Sequence, residues 1–277
     1  MFTFTRSEIL TTSLLTDKAV TWALDNMDYL NKPMRLFGSS QKVEKGGDKR
    51  ETYILYLQPA GKVSKRTLCA GAATAGCEKP CLIISGQLGM DTGQRAATKR
   101  TILFLLRPEW FKAQLLREID KAEKRATRTG IPALFRLNGT SDVDFSEVIS
   151  ARPASEFYDY SKVLARLRKN TLPNYDITYS GSMYSTASKK ALGKAVVRGH
   201  KIAVAFNTKC LKSDNVAVPE GLVSFDKNDL RPLDAPGSIG YLYRKGSNKA
   251  QRAAEGAQSF FVTADNVTEF NNIIAKG

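Results

Sequence analysis

Histidine is almost missing from this 277-residue chain, which carries one, His200. Chemistry that runs on paired histidines is thereby excluded, and neither a Ser-His-Asp set nor an HExxH site occurs. No GxxxxGK[ST] loop is found, and no GxGxxG follows a strand-like run. Long apolar runs are missing too. The longest, "TILFLL" (101–106), spans six residues, far below the ~18 that a membrane span requires. The start "MFTFTRSEILTTSLL" lacks the basic opening and apolar core of a signal peptide. A cytoplasmic setting is expected, where thiols stay reduced and disulfides are rare.

Acidic residues are also short. Twenty-seven Asp and Glu face 42 Lys and Arg, a net charge of +15. Such a surplus favours a polyanionic partner through counterion release and steering, with nucleic acid the first candidate and an anionic membrane surface the second. Basic clusters recur along the chain, and Lys65, Arg66, Arg95, Arg100, Arg244 and Lys245 are the expected phosphate contacts. A merely solvated basic face is the plainer alternative for any one cluster.

Cysteine is scarce but crowded. Three of the four fall in "LCAGAATAGCEKPC" (68–81) as C-x7-C-x3-C. Three thiolates on one loop can close on a soft or borderline metal. A structural zinc needs a fourth ligand, for which Cys210 is the candidate beside Cys69, Cys77 and Cys81. A three-cysteine iron–sulfur cluster with one open iron is the rival. Three small buried residues in an Ala/Gly-rich turn are the plain alternative.

The 42% hydrophobic content supports a full core. Residues 1–50 read as an N-terminal extension or hairpin region ending in the polar stretch "GSSQKVEKGGDKRE". After it, strands at 52–57, 131–139, 175–180 and 201–207 alternate with helices at about 108–128, 161–170 and 187–199. Gly130 and Gly199 stand where helix-ending glycines belong. Further strands are expected at 221–226, 237–246 and 259–264, with a final helix over 266–276. Strand–helix alternation predicts a parallel sheet, here a single α/β domain over 1–277. The architecture expected is a TIM-like (β/α) barrel, incomplete or irregular, with the metal-bound loop after its first strand. Functional side chains then belong at the C-terminal ends of the strands, and His200, which precedes a strand, belongs at the opposite end.

Two stretches carry the expected chemistry. "FRLNGTSDVDF" (135–145) runs a strand into Asn138, Gly139, Ser141 and Asp142. A carboxylate there can serve as nucleophile or general base, and an Asx turn capping the next segment is the structural alternative. "FYDYSK" (157–162) sets Asp159 between tyrosines, where Tyr158 can stack on a base and the carboxylate can accept its N–H groups. In "FDKNDLRPLD" (225–234) the arginine, Arg231, reads as a plain ion-pair partner.

These blocks, together with "YDITYSGS" and "DKNDLRPLDAPGSIGYLYRKG", resemble the bacteriophage gene-product-eighty-eight-like proteins over about residues 35 to 255. The group is in turn similar to phage enzymes that place 7-deazaguanines in DNA, and through them to tRNA-guanine transglycosylases, α/β barrels with a structural zinc. The resemblance implies a phage-encoded glycosyltransferase of the host cytoplasm. It would exchange guanine in DNA for a 7-deazaguanine such as preQ0. Asp142 would be the nucleophile and Asp159 the reader of the base edge, the two able to exchange roles. Asn138, Gly139, Ser141, Tyr158 and Ser180 would line the substrate site, and zinc would be the metal. The cysteines depart from the tRNA enzymes: they come early in the chain, and no histidine is near. An iron–sulfur enzyme of radical type and a non-catalytic DNA-binding protein are the alternatives.

Overall fold

A computed structural model describes residues 3–38, 50–78, 80–84, 86–207, 216, 218–244 and 259–277. Among these residues, eight strands form one sheet in the order β1-β2-β3-β4-β5-β6-β8-β7. They are β1 (Phe37–Gly38), β2 (Glu51–Leu55), β3 (Ala133–Arg136), β4 (Glu156–Ser161), β5 (Tyr175–Ser180), β6 (Ile202–Phe206), β7 (Val223–Ser224) and β8 (Ile239–Tyr243). β1 runs antiparallel to β2, and every other pairing is parallel. The expected alternation of strands and crossover helices is therefore present in a mixed α/β fold.

Register shows why the crossovers pack where they do. Tyr53 pairs with Phe135, Phe135 with Phe157, Phe157 with Tyr175, and Tyr179 with Ile202. Because side chains alternate across a strand, these rings and Ile202 share one face. That face meets the helices. Helix Pro108–Thr129 buries Phe111, Leu115, Ile119 and Ala122 in the same core as Phe135 and Phe157. Pro108 starts it, and Gly130 closes it in the left-handed conformation. Helices Thr186–Val197 and Val267–Ile274 supply Leu192, Ala195 and Phe270 to a second core with Ile202, Val204 and Phe206.

The other face of the sheet differs in composition. Leu134, Arg136, Tyr158, Tyr160, Asp176, Thr178, Ser180, Ala203 and Leu242 alternate onto it by the same register. Part of it is covered by the chain around Leu230, which packs on Leu134 and Tyr158. Among the described residues no crossover helix covers the remainder, which is the floor of the cavity described below.

Several local readings change. The N-terminal region holds three helices, Arg6–Thr11, Asp17–Asp25 and Met27–Asn31, before β1. Thr5 caps the first with a capping box, a signal the apolar pattern alone does not display. "TILFLL" is the last part of helix Asp91–Leu106 rather than a separate run. The segment 259–264 forms a bridge from Val262 to Phe206 and no strand. The strand expected at 221–226 shortens to Val223–Ser224. No helix among the described residues is long and apolar enough to cross a membrane.

Candidate active site at the C-terminal ends of the strands

The ends of β2, β3, β4, β5, β6 and β8 open on one cavity of about 640 Å³, within the range of small-molecule sites. Its walls combine the cysteine loop, the "NGTSD" turn, the last residues of the strands and Phe260–Phe261. Cys69, Cys77 and Cys81 all line it. Cys210 and Lys245 lie outside the described residues.

The cysteine loop is pinned at both ends. Cys69 bridges to Asp142 in parallel fashion, with Asp142 N–H donating to the Leu68 carbonyl at 2.8 Å. Ser182 and Ser185 donate to the carbonyls of Ala75 and Thr74, each at 2.7 Å. Between these anchors, Gly71 lies against the end of β4; a Cβ there would stand 2.6 Å from Lys162 Cβ. Burial pushes the Cys69 thiol up to about 12, and charge on Cys81, Cys77 and Asp142 pushes it the same way. Burial also raises Cys81, with Cys77 adding to the effect and Lys62 and Lys162 opposing it. The three thiols are thus electrostatic neighbours, and a bound cation would relieve their mutual repulsion. As the side chains stand, no three His, Cys, Asp or Glu residues among the described ones form a group that could hold a metal ion.

The "NGTSD" turn is held by bonds within itself and by bonds to the neighbouring strands. Asn138 Oδ1 accepts from Ser141 Oγ at 2.9 Å and from Val143 N–H at 2.8 Å, while its Nδ2 donates to the Val143 carbonyl at 3.0 Å. Thr140 Oγ1 donates to the Leu57 carbonyl. Gly139 has ordinary backbone angles. Its smallness serves close packing, since a Cβ would lie 2.6 Å from the Tyr56 ring and 2.7 Å from Ile54.

Asp142 lines the cavity, but its oxygens are occupied. Oδ1 is paired with Arg166, and Oδ2 accepts from Ser161 Oγ at 2.9 Å and Lys162 N–H at 3.1 Å. Asp159 is not in the cavity wall. It points to the helix side, where it accepts from Asn138 N–H at 2.7 Å, Asn138 Nδ2 at 3.1 Å and Tyr175 Oη at 3.0 Å. Burial raises its carboxyl to about 6 against the pull of these donors. Asp159 thereby positions the turn rather than meeting a ligand.

The carboxylate that reaches the cavity from the opposite side is Asp229. It accepts from Tyr160 Oη at 2.8 Å and Tyr158 Oη at 3.3 Å, and pairs with Arg136 Nη1 at 2.8 Å. The Arg136 guanidinium lies 4.6 Å from the Tyr160 ring centre. Burial and then the Asp229 charge push both tyrosine hydroxyls well above their usual range. Tyr158 is fully buried, so it holds Asp229 and does not offer a stacking face. Ser180 is on the cavity wall, as expected, and accepts from Lys162 Nζ at 2.7 Å. Arg136 and Lys162 are not expected as site residues from the sequence, Tyr160 is expected only as a tyrosine flanking Asp159, and Asp229 only as part of the polar stretch 225–234. All but Asp229 sit at strand ends, a usable signal. Asp229 reaches the site through the long excursion between β7 and β8.

The expected phosphate contacts divide. Lys65 and Arg66 are exposed just before the cysteine loop, and Arg95 is exposed on helix Asp91–Leu106. Arg100 is half-buried and donates to the Arg35 carbonyl at 3.3 Å. Arg244 is buried in the cavity wall and donates to Asn207 Oδ1 at 2.8 Å. His200 lines a separate, smaller cavity of about 250 Å³ with Lys201 and Gly237, at the N-terminal ends of the strands.

Comparison with known families fits this site into a larger group. Residues 31–259 match the model of the family described as Gene product 88. The chain belongs to the Gene product 88 family. The match includes the cysteine loop, the "NGTSD" turn and every strand of the parallel sheet. No curated protein and no solved structure matches the chain.

Proposed function

We propose that the chain is a phage iron–sulfur enzyme whose substrate enters the cavity at the strand ends. One observation carries this reading: all three clustered cysteines line a ligand-sized cavity. A structural zinc is closed by four ligands, whereas three thiolates facing a cavity leave one position open to it. Cys69, Cys77 and Cys81 would hold the cluster, with Lys62 and Lys162 favouring the thiolate of Cys81. When bound, such a cluster supplies one-electron chemistry at an iron open to the cavity. The remaining work belongs to the chain's own side chains. Arg136, Tyr160 and Asp229 offer a bonded set of donor and acceptor atoms that can orient a substrate. Aromatic and apolar side chains make up part of the wall.

An incomplete barrel is the architecture that goes with this proposal. The sequential parallel order from β2 to β6, with crossovers packed on one face, supports it. DNA is the proposed macromolecular partner. The charge of +15 and the exposed Lys65 and Arg66 beside the cysteine loop support that choice. Metal analysis of the chain purified without oxygen tests the reading. Iron with matching sulfide is expected; one equivalent of zinc and no iron would sink it.

A second reading, base exchange in DNA, is favoured by Asp142 lying in the cavity wall. There a carboxylate attacks C1′ of an extruded deoxyguanosine, the bond from C1′ to guanine breaks, and a 7-deazaguanine such as preQ0 then displaces the enzyme. Arg166 must release Asp142 for that attack. Zinc at the cysteines would brace the loop in this case. Nucleoside mass spectrometry of DNA from cells expressing the chain with preQ0 reads the exchange. Full exchange by Asp142→Ala would remove Asp142 from the role.

A further inference from the structure

Among the described residues, one cation of the cavity wall stands apart from the ion pairs there. Two carboxylates, Asp142 and Asp229, and three cations, Arg136, Lys162 and Arg244, line it. Asp142 is paired from behind by Arg166, and Asp229 is paired by Arg136. Lys162 has neutral partners instead. Its Nζ donates to Ser180 Oγ at 2.7 Å and lies 4.5 Å from the centre of the Phe260 ring. Among the described residues it forms no ion pair. An ammonium has three donors and one is used. Ser180 accepts that bond through its oxygen, so its own hydroxyl proton is directed elsewhere and is a second donor beside the ammonium. The lysine stem is held by the close approach of Gly71, which leaves no room for a Cβ.

We propose that this cavity binds a small organic anion bearing a flat ring. The carboxylate or phosphate would sit on Lys162 Nζ and the Ser180 hydroxyl. The ring would sit among Tyr56, Tyr160 and Phe260, which share the wall. A half-buried ammonium that is bonded to a hydroxyl, lies over a ring and forms no ion pair among the described residues gains from an anion, through a charge-assisted hydrogen bond in a partly desolvated site. Aromatic side chains beside it supply stacking surface for a planar group. The proposal stands on the cavity and on Lys162, and does not require a metal at the cysteines.

Calorimetric titration of the whole chain tests it with four probes: adenosine 5′-monophosphate, indole-3-acetate, adenosine and ribose 5-phosphate. At least one of the first two should bind about tenfold or more tightly than both the ring without an anion and the anion without a ring. Which one does so distinguishes phosphate from carboxylate. Lys162→Met should weaken that probe by about tenfold or more, Lys162→Arg should largely retain it, and Ser180→Ala should weaken it less. A melting curve for each variant shows that it is folded. Equal binding of charged and uncharged rings overturns the proposal, as does undiminished binding by Lys162→Met. Binding of a DNA oligonucleotide with no binding of either ringed anion overturns it too. Repeating the titration after chelation separates this result from the metal reading, because anion binding is expected to survive loss of metal.

Discussion

Arg166 holds Asp142 from behind the cavity wall. Its Nη1 pairs with Asp142 Oδ1, and its Nη2 donates to the Val143 carbonyl at 2.8 Å. The Asp142 side chain is 8% exposed and that of Arg166 18%. A carboxylate so enclosed is costly to leave alone. Arg166→Met is expected to destabilise the chain by about 3–5 kcal/mol, and the double variant Arg166→Met/Asp142→Asn by clearly less, because the cost is that of an unpaired buried charge. Urea unfolding of the two variants measures the difference. Equal losses would show that packing, and not charge, is what Arg166 provides.

Asp159 ties stability to mild acid. Its folded carboxyl titrates near 6, raised from 3.8 chiefly by burial. Between those values the folded chain binds the proton that the unfolded chain has released, so stability falls as pH rises from about 4 to 6. Asp159→Asn keeps the size and removes the titration. Its stability is expected to be flatter across that window, read as the unfolding midpoint against pH.

Lys99 gives a slope of opposite sign at the alkaline end. It is 1% exposed, and its ammonium donates to the carbonyls of Tyr29 and Lys32. Burial, with Lys32 adding to it, lowers it from 10.5 to about 8. Between these values the unfolded chain holds the extra proton, so this group makes stability rise with pH across about 8 to 10.5. Lys99→Met should remove that rise, as thermal melts at intervals through the range would reveal.

The junction between the cysteine loop and β4 has no spare volume. Gly71→Ala would put a methyl group 2.6 Å from Lys162 Cβ and 3.3 Å from the Lys162 carbonyl carbon. A loss of about 1–3 kcal/mol is expected from the overpacking, together with weaker binding of whatever Lys162 holds. Chemical denaturation and ligand titration on the same variant check both.

The parallel sheet was legible in the sequence because its strands alternate with amphipathic helices, most clearly at Pro108–Thr129, where Phe111, Leu115 and Ile119 repeat at helical spacing. Helix Asp91–Leu106 was not, because its apolar residues gather at one end and leave little periodicity. The placement of the cysteine loop and of Asp142 at the strand ends followed from the chain order alone. The direction of Asp159 did not. It sits one residue from Tyr158 and Tyr160, and period-two alternation turns it to the helix side while both tyrosines face inward. Asp229 lies in the polar stretch 225–234 that follows an expected strand, but the link between β7 and β8 gives no periodic cue to tell a cavity-lining carboxylate from a plain ion-pair partner.

Cys69, Cys77 and Cys81 are proposed to hold an iron–sulfur cluster facing the cavity. Iron per chain after anaerobic reconstitution with iron and sulfide tests it most directly, comparing wild type with Cys69→Ser, Cys77→Ser and Cys81→Ser. The account predicts a brown wild-type protein with about four irons and a large loss of iron in each variant, with all four proteins still folded. A colourless wild type carrying one zinc, or variants that keep wild-type iron, would contradict it.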